Sequence, residues 1–156
     1  MSIPVTRLNH AVLYVRNLDH SVAFYRQAFG FEEIARDAGG RMAFLRAAGS
    51  ENHHDLGLFA VGDHAPGPLH GSTGLYHLAW QVPTIEDLGA ARDILIAMDA
   101  MVGESDHGAT KSIYGRDPDG NEFEVMYLLP RAEWGDYADR AVVMPLHLDQ
   151  EMARRR

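Results

Sequence analysis

The chain has no cysteine among its 156 residues, which excludes disulfides and thiolate metal sites. Any metal therefore has to be held by His, carboxylate or water. No basic cluster precedes the last three residues, and the net charge is −8, from 14 Lys and Arg against 22 Asp and Glu. That balance argues against a nucleic-acid or anionic-membrane surface. The closing Arg154-Arg155-Arg156 run reads as a frayed, solvated end. No apolar run nears the ~20 residues that span a bilayer, and MSIPVTRLN lacks the charged region and apolar stretch of a signal peptide. The expectation is a protein of the cytoplasm with no membrane and no nucleic-acid partner. Its hydrophobic fraction of 46% suits a folded core.

What the sequence does have is a repeated pattern. Arg7–Val15 reads as a strand, Asn17 or Asp19 as the cap of a helix through Phe29, and Gly30 as its stop. Two strands, Phe31–Asp37 and Arg41–Ala48, flank Ala38-Gly39-Gly40, and His54–Val61 makes a fourth. After a loop at 62–73 the order restarts. Gly74–Val82 is a strand, and Thr84 with Asp87 caps a helix running to about Met101. Short strands follow near 101–104, 110–116 and 121–128, the last two joined by the turn Asp117-Pro118-Asp119-Gly120. A constant offset lays His10 to Val15 over His77 to Val82. The spacing predicts two copies of one β-α-β-β-β unit, at about 7–61 and 74–128, related by a pseudo-two-fold axis. Residues 1–130 read as one domain. The tail 131–156, with apolar Trp134, Tyr137, Val142, Val143, Met144 and Leu146, reads as an extension packed on that domain or on a second subunit, without chemistry of its own.

Strand alternation gathers a constellation. His10 shares a face with Leu8, Val12 and Tyr14, His77 with Leu75, Ala79 and Gln81, and Glu124 with Glu122, Met126 and Leu128. Val15, Trp80, Val82, Phe123 and Val125 face the other way, toward the helices. Two imidazoles and a carboxylate suit Fe(II), Mn(II), Zn(II) or Ni(II). Singly, each of the three is more often a hydrogen-bonded core or edge residue. Their equivalent places in a repeat favour a metal site at His10, His77 and Glu124.

The segments LNHAVLYVRNLDHSVAFYRQAFGFE, GLYHLAWQV and YGRDPDGNEFEVMY resemble the vicinal oxygen chelate superfamily. It contains glyoxalases, fosfomycin- and bleomycin-resistance proteins and extradiol ring-cleaving dioxygenases. The resemblance covers roughly residues 7–128, and it implies an α+β fold of two βαβββ modules forming an open mixed-sheet barrel around a metal. It also implies that His10, His77 and Glu124 are the ligands, and that the chain is a homodimer.

Three features then bear on the reaction. The offset that carries His10 onto His77 puts Gly57 where Glu124 stands, so 56–61 offers no carboxylate of the kind that glyoxalases use as a fourth ligand. Asn52-His53-His54-Asp55-Leu56 resembles the His-His motif of extradiol dioxygenases, which makes His54 the acid–base residue; a polar strand entry is the plainer alternative. Tyr114, ten positions before Glu124, resembles the active-site Tyr that hydrogen-bonds substrate, although it could simply pack in its strand. His107 resembles a second family His, at a spacing shorter than in two-domain members. His20, His64, His70 and His147 read as surface or loop residues.

The reading is a single-module extradiol-type dioxygenase of aromatic catabolism. It would cleave a catechol-like aromatic diol with O2 and Fe(II), or with Mn(II) or another divalent ion. The alternatives are a glyoxalase-like isomerase, epimerase or lyase that recruits Glu122 or Glu51, and a bleomycin-resistance-type binding protein.

Overall fold

The computed structural model describes residues 2–155, which fall into two compact units, one ending at Pro68 and the other beginning at Leu69. The first unit runs β1 (Ala11–Val15), α1 (Leu18–Phe29), β2 (Glu32–Arg36), β3 (Met42–Arg46) and β4 (Leu56–Ala60). The second runs β5 (Leu78–Val82), α2 (Ile85–Ala97), β6 (Met101–Asp106), β7 (Thr110–Arg116) and β8 (Glu122–Leu128). Each has one four-stranded mixed sheet, ordered β1-β4-β3-β2 and β5-β8-β7-β6. The α+β class and the repeated βαβββ order are therefore as the sequence predicts.

The repeat extends to hydrogen-bond register. Parallel β1 and β4 pair Ala11 with Leu56, and β5 and β8 pair Leu78 with Phe123, so both partners move by the interval that separates His10 from His77. The β2–β3 and β6–β7 pairs also carry register shifts at comparable places, between Glu33 and Ala35 and between Met101 and Gly103.

Capping follows the local chemistry. The Asn17 side chain accepts the His20 N–H at the start of α1, and Gly30 ends that helix at φ 65. Thr84 accepts the Asp87 N–H, and its hydroxyl donates to the Asp87 carboxylate at 2.6 Å. One face of each sheet packs on its helix. Leu13, Val15, Leu45, Leu56 and Leu58 are buried in the first unit, and Ile113, Phe123 and Val125 in the second. The opposite face of β1 is open, with Val12 and Tyr14 exposed. Trp80 and Val82 are only half-buried.

Several expected boundaries are corrected. β1 begins at Ala11 rather than Arg7, and β5 at Leu78 rather than Gly74. A parallel strand lasts only as long as its ladder partner, and β4 and β8 begin at Leu56 and Glu122. His10 and His77 thus stand just ahead of their strands. α2 stops at Ala97 instead of about Met101, because Asp99 takes the left-handed conformation at φ 53 and turns the chain into β6.

The tail is part of the second unit. Two single-turn 3-10 segments, Arg131–Glu133 and Gly135–Ala138, lead to α3 (Leu148–Arg154). α3 lies on α2, where a Cβ at Gly89 would come within 2.6 Å of the Met152 sulfur. That close approach explains a glycine inside a helix, where it costs about 1 kcal/mol. Arg92 also bonds Asp149 at 2.7 Å. The expected frayed end is corrected too: Arg154 pairs with Glu151 at 3.0 Å and Arg155 with Glu133 at 2.8 Å, while Arg156 lies outside the described residues. No helix among them is long and apolar enough to cross a membrane.

Candidate metal centre

In the first unit, His10 precedes β1, and its Nδ1 lies 2.9 Å from the Asn9 side-chain oxygen, which accepts from it. Its ring lies 4.4 Å from that of His54, which in turn stands 4.8 Å from the Phe44 ring. His53 and His54 share a hydrogen bond between their Nδ1 atoms at 3.0 Å. Burial first, and then the charges of His10 and His53, hold the His54 imidazole below its ordinary pKa, against the pull of Asp55. A neutral imidazole at neutral pH is the form that can take a proton.

Asp55, next along, is buried and fully engaged. Burial works to raise its pKa, but the Ala47 N–H, Asn52 and Ser50 hydrogen bonds outweigh that and leave it lowered. At the next rungs of the ladder, Gly57 lies opposite Val12 and Phe44. A Cβ there would meet the Val12 side chain at 3.3 Å and the Phe44 ring at 3.4 Å. The rung equivalent to that of Glu124 thus carries no carboxylate, and its neighbours are apolar.

In the second unit the equivalent rung carries Glu124, opposite Ala79 and Tyr114. Its Oε2 is 3.1 Å from His77 Nε2. Two ligand atoms each about 2.1 Å from one octahedral ion are about 3.0 Å apart, so the pair already has the spacing of adjacent ligands. The Tyr114 ring is 5.7 Å from that of His77. Burial, and then the Glu124 charge, push the Tyr114 phenol up, so it stays protonated at neutral pH.

The structure also brings His107 to Tyr114. His107 Nδ1 lies 2.9 Å from the Val142 carbonyl, which can only accept, so Nδ1 carries the proton. Nε2 then accepts the Tyr114 hydroxyl at 2.7 Å. The turn bearing His107 is braced by the buried Lys111, which bonds Asp106 at 2.6 Å and the Gly108 carbonyl at 3.2 Å. Val142 belongs to the tail, held in place by the Asp106–Met144 backbone bridge. The tail read as without chemistry of its own therefore sets the tautomer of His107. Nothing in its sequence marks this, because a backbone carbonyl has no side-chain signature.

Other candidates are placed elsewhere. Glu122 pairs with Arg116 at 3.2 Å, and Glu51, His20, His64, His70 and His147 are exposed. Asn9 and Asn52, which the sequence reading passed over as site residues, hydrogen-bond each other across 43 positions. The signals in the sequence are Asn9 beside His10 and Asn52 at the head of the His53-His54 motif. Among the described residues, no group of three or more His, Asp or Glu is gathered as a ready-made metal cage. His10 stands in the first unit, and His77 and Glu124 stand in the second.

Residues 7–125 match the family model described as Glyoxalase/Bleomycin resistance protein/Dioxygenase superfamily. Catechol-2,3-dioxygenase of Bacillus subtilis (strain 168) is 32% identical over 133 residues, covering 83% of this chain and 44% of that protein. Manganese-dependent 2,3-dihydroxybiphenyl 1,2-dioxygenase of Geobacillus genomosp. 3 is 33% identical over 132 residues, covering 81% of this chain and 38% of that protein. The chain thus spans less than half the length of these two curated relatives. A glyoxalase/dioxygenase from Nostoc punctiforme, at 20% identity, has the same fold, with a TM-score of 0.69 over 83% of this chain and 97% of that one. By the family model, which matches most of its length, and by the strand register that recurs in both units, this chain belongs to the glyoxalase/bleomycin resistance protein/dioxygenase superfamily.

Proposed function

We propose that this chain is an extradiol-type dioxygenase that cleaves a catechol-like aromatic ring with O2, using a divalent metal held by His10, His77 and Glu124. The observation that carries the reading is the register at Gly57: the rung equivalent to that of Glu124 holds a glycine between the apolar Val12 and Phe44, so it supplies no fourth carboxylate. Three protein ligands leave an octahedral ion positions for substrate and oxygen, and two His with one carboxylate is the donor set of non-haem Fe(II) oxygenases. Fe(II) is the metal proposed, with Mn(II) next, since the Geobacillus relative is named as manganese-dependent. When bound, the metal supplies a shared coordination sphere for the diol and O2.

The chain's own residues then handle protons and orientation. His54, held neutral, takes a proton from a diol hydroxyl and returns it later in the turnover. Tyr114 donates its hydrogen to His107, so its oxygen is free to accept from the substrate's other hydroxyl. His107 keeps that phenol oriented, with Val142 behind it.

A glyoxalase-like reaction with four protein ligands would need Glu122, already paired with Arg116, or the exposed Glu51. A homodimer in the cytoplasm accords with the exposed Val12 and Tyr14 on β1 and with the absence of cysteine. The test is anaerobic loading with Fe(II) or Mn(II), followed by catechol and 2,3-dihydroxybiphenyl in air. The expected outcome is a yellow ring-fission product with one O2 consumed per diol. Full metal occupancy without product or O2 uptake overturns the proposal.

A further inference from the structure

The direction of every hydrogen bond leading to His10 is fixed from a buried carboxylate. Asp55 can only accept. Its Oδ2 takes the Ala47 N–H at 2.8 Å, and its Oδ1 takes the Ser50 hydroxyl at 2.8 Å and the Asn52 amide at 2.7 Å. The Asn52 atom facing Asp55 is therefore its nitrogen, which also donates to the Asn9 carbonyl at 2.9 Å. The Asn52 oxygen accepts from the Arg7 guanidinium, a group that can only donate. With both ends of Asn52 fixed, its oxygen takes the Asn9 amide N–H at 3.1 Å. The Asn9 oxygen is then left facing His10 Nδ1 at 2.9 Å. An amide oxygen cannot donate, so His10 Nδ1 carries a proton, and the neutral ring has its lone pair on Nε2.

The second unit has no counterpart to this chain of bonds. The offset between the copies puts Tyr76 at the place of Asn9 and Asp119 at that of Asn52. His77 Nδ1 is buried with no hydrogen-bond partner among the described residues, and that ring is held by Glu124 at Nε2 instead.

We propose that Asn9, oriented by Asn52 and Asp55, is a positioning residue that presets His10 to bind metal through Nε2. The inference rests on the reading of His10 as a ligand. A partner on the second nitrogen of a ligating His fixes its tautomer and ring plane, and losing one weakens metal binding by about 10–100-fold.

The experiment uses the full chain, 15N-labelled at histidine and free of metal, with Mn(II) alone as the probe. Long-range proton–nitrogen correlation should show His10 with Nδ1 protonated and Nε2 bare. Asn9→Ala should give a mixed tautomer signature and about tenfold weaker Mn(II) binding, while Asn9→Asp, which keeps an acceptor at that place, should restore both. The Asn9 side chain is exposed, so neither variant threatens the fold. His10→Ala separates the two layers of the argument. If it abolishes Mn(II) binding while Asn9→Ala binds like the wild type with an unchanged tautomer, the positioning role is overturned and the ligand reading stands. If His10→Ala binds Mn(II) like the wild type, both are overturned.

Discussion

The first unit pairs Val12 with Gly57, and the second pairs Ala79 with Glu124 at the equivalent rung. The backbone geometry is duplicated and the side chains have diverged. In the first unit the rung is flanked by the apolar Val12 and Phe44, and the polar groups collect at the entrance to β4, where hydrogen bonds run from Asp55 through Asn52 and Asn9 to His10. In the second the rung carries the carboxylate, and polar support comes from Tyr114, His107 and a tail carbonyl. One scaffold thus presents a histidine in two ways: fixed through Nδ1 in the first unit, fixed through Nε2 in the second. A repeated fold supplies equivalent positions, and substitution at those positions divides the labour between them.

The comparison breaks most visibly at the residues assigned to proton handling and to metal. His54→Ala should retain metal, measured by elemental analysis, while turnover falls about 10²–10⁴-fold. Glu124→Ala should lower Mn(II) affinity by about 10²–10³-fold, on the scale of structural Zn(II) sites, where about 10–16 kcal/mol over four ligands is about 2.5–4 kcal/mol for each. The reverse pattern, with metal lost in the His54 variant and kept in the Glu124 variant, would sink the assignment of roles.

Making the first unit chemically resemble the second is the next largest change. Gly57→Glu has to crowd Val12 and Phe44 and put a carboxylate in a buried place, so we expect a stability loss of about 2 kcal/mol. Urea unfolding checks this. An unchanged midpoint together with tighter metal binding would mean that the rung had room for a fourth ligand.

A smaller effect sharpens the first unit's own device. The Asp55 pKa is lowered in the fold, so its contribution is complete above the ordinary carboxylate value of ~3.9 and is lost as pH falls through the lower folded value. Asp55→Asn should cost about 1–3 kcal/mol at neutral pH, because one amide oxygen cannot serve three donors. It should also flatten the acid limb of the stability curve below about pH 4. A variant with the same acid limb as the wild type would show that Asp55 is not the group responsible.

Much of the fold was legible because it rests on local or periodic signals. Asn17, Gly30 and Thr84 act at the helix ends where their chemistry points, and apolar alternation identified the helix-facing Val15, Phe123 and Val125. Strand starts were misplaced because a strand ends where its partner does, and partners such as Ala11 and Leu56 are separated by a helix and two other strands. Of the candidate site, the sequence groups His10, His77 and Glu124 as ligands with His54 beside them; in the structure Glu124 stands against His77 and His54 against His10, each within its own unit. The tail's part was not foreseen, since its contact with His107 is made by a main-chain carbonyl.

By itself, then, the sequence determined the repeat, the offset that relates its copies, and the asymmetry between Gly57 and Glu124. Period-two alternation and capping act over a few residues and leave their mark in the order of residue types. Only the tertiary structure decided which nitrogen of each histidine is occupied. That depends on hydrogen-bond partners brought from distant stretches of chain, Asn52 by way of Asn9 for His10 and Val142 for His107. Donor and acceptor chemistry is written in the sequence, but which donor meets which acceptor is settled by packing.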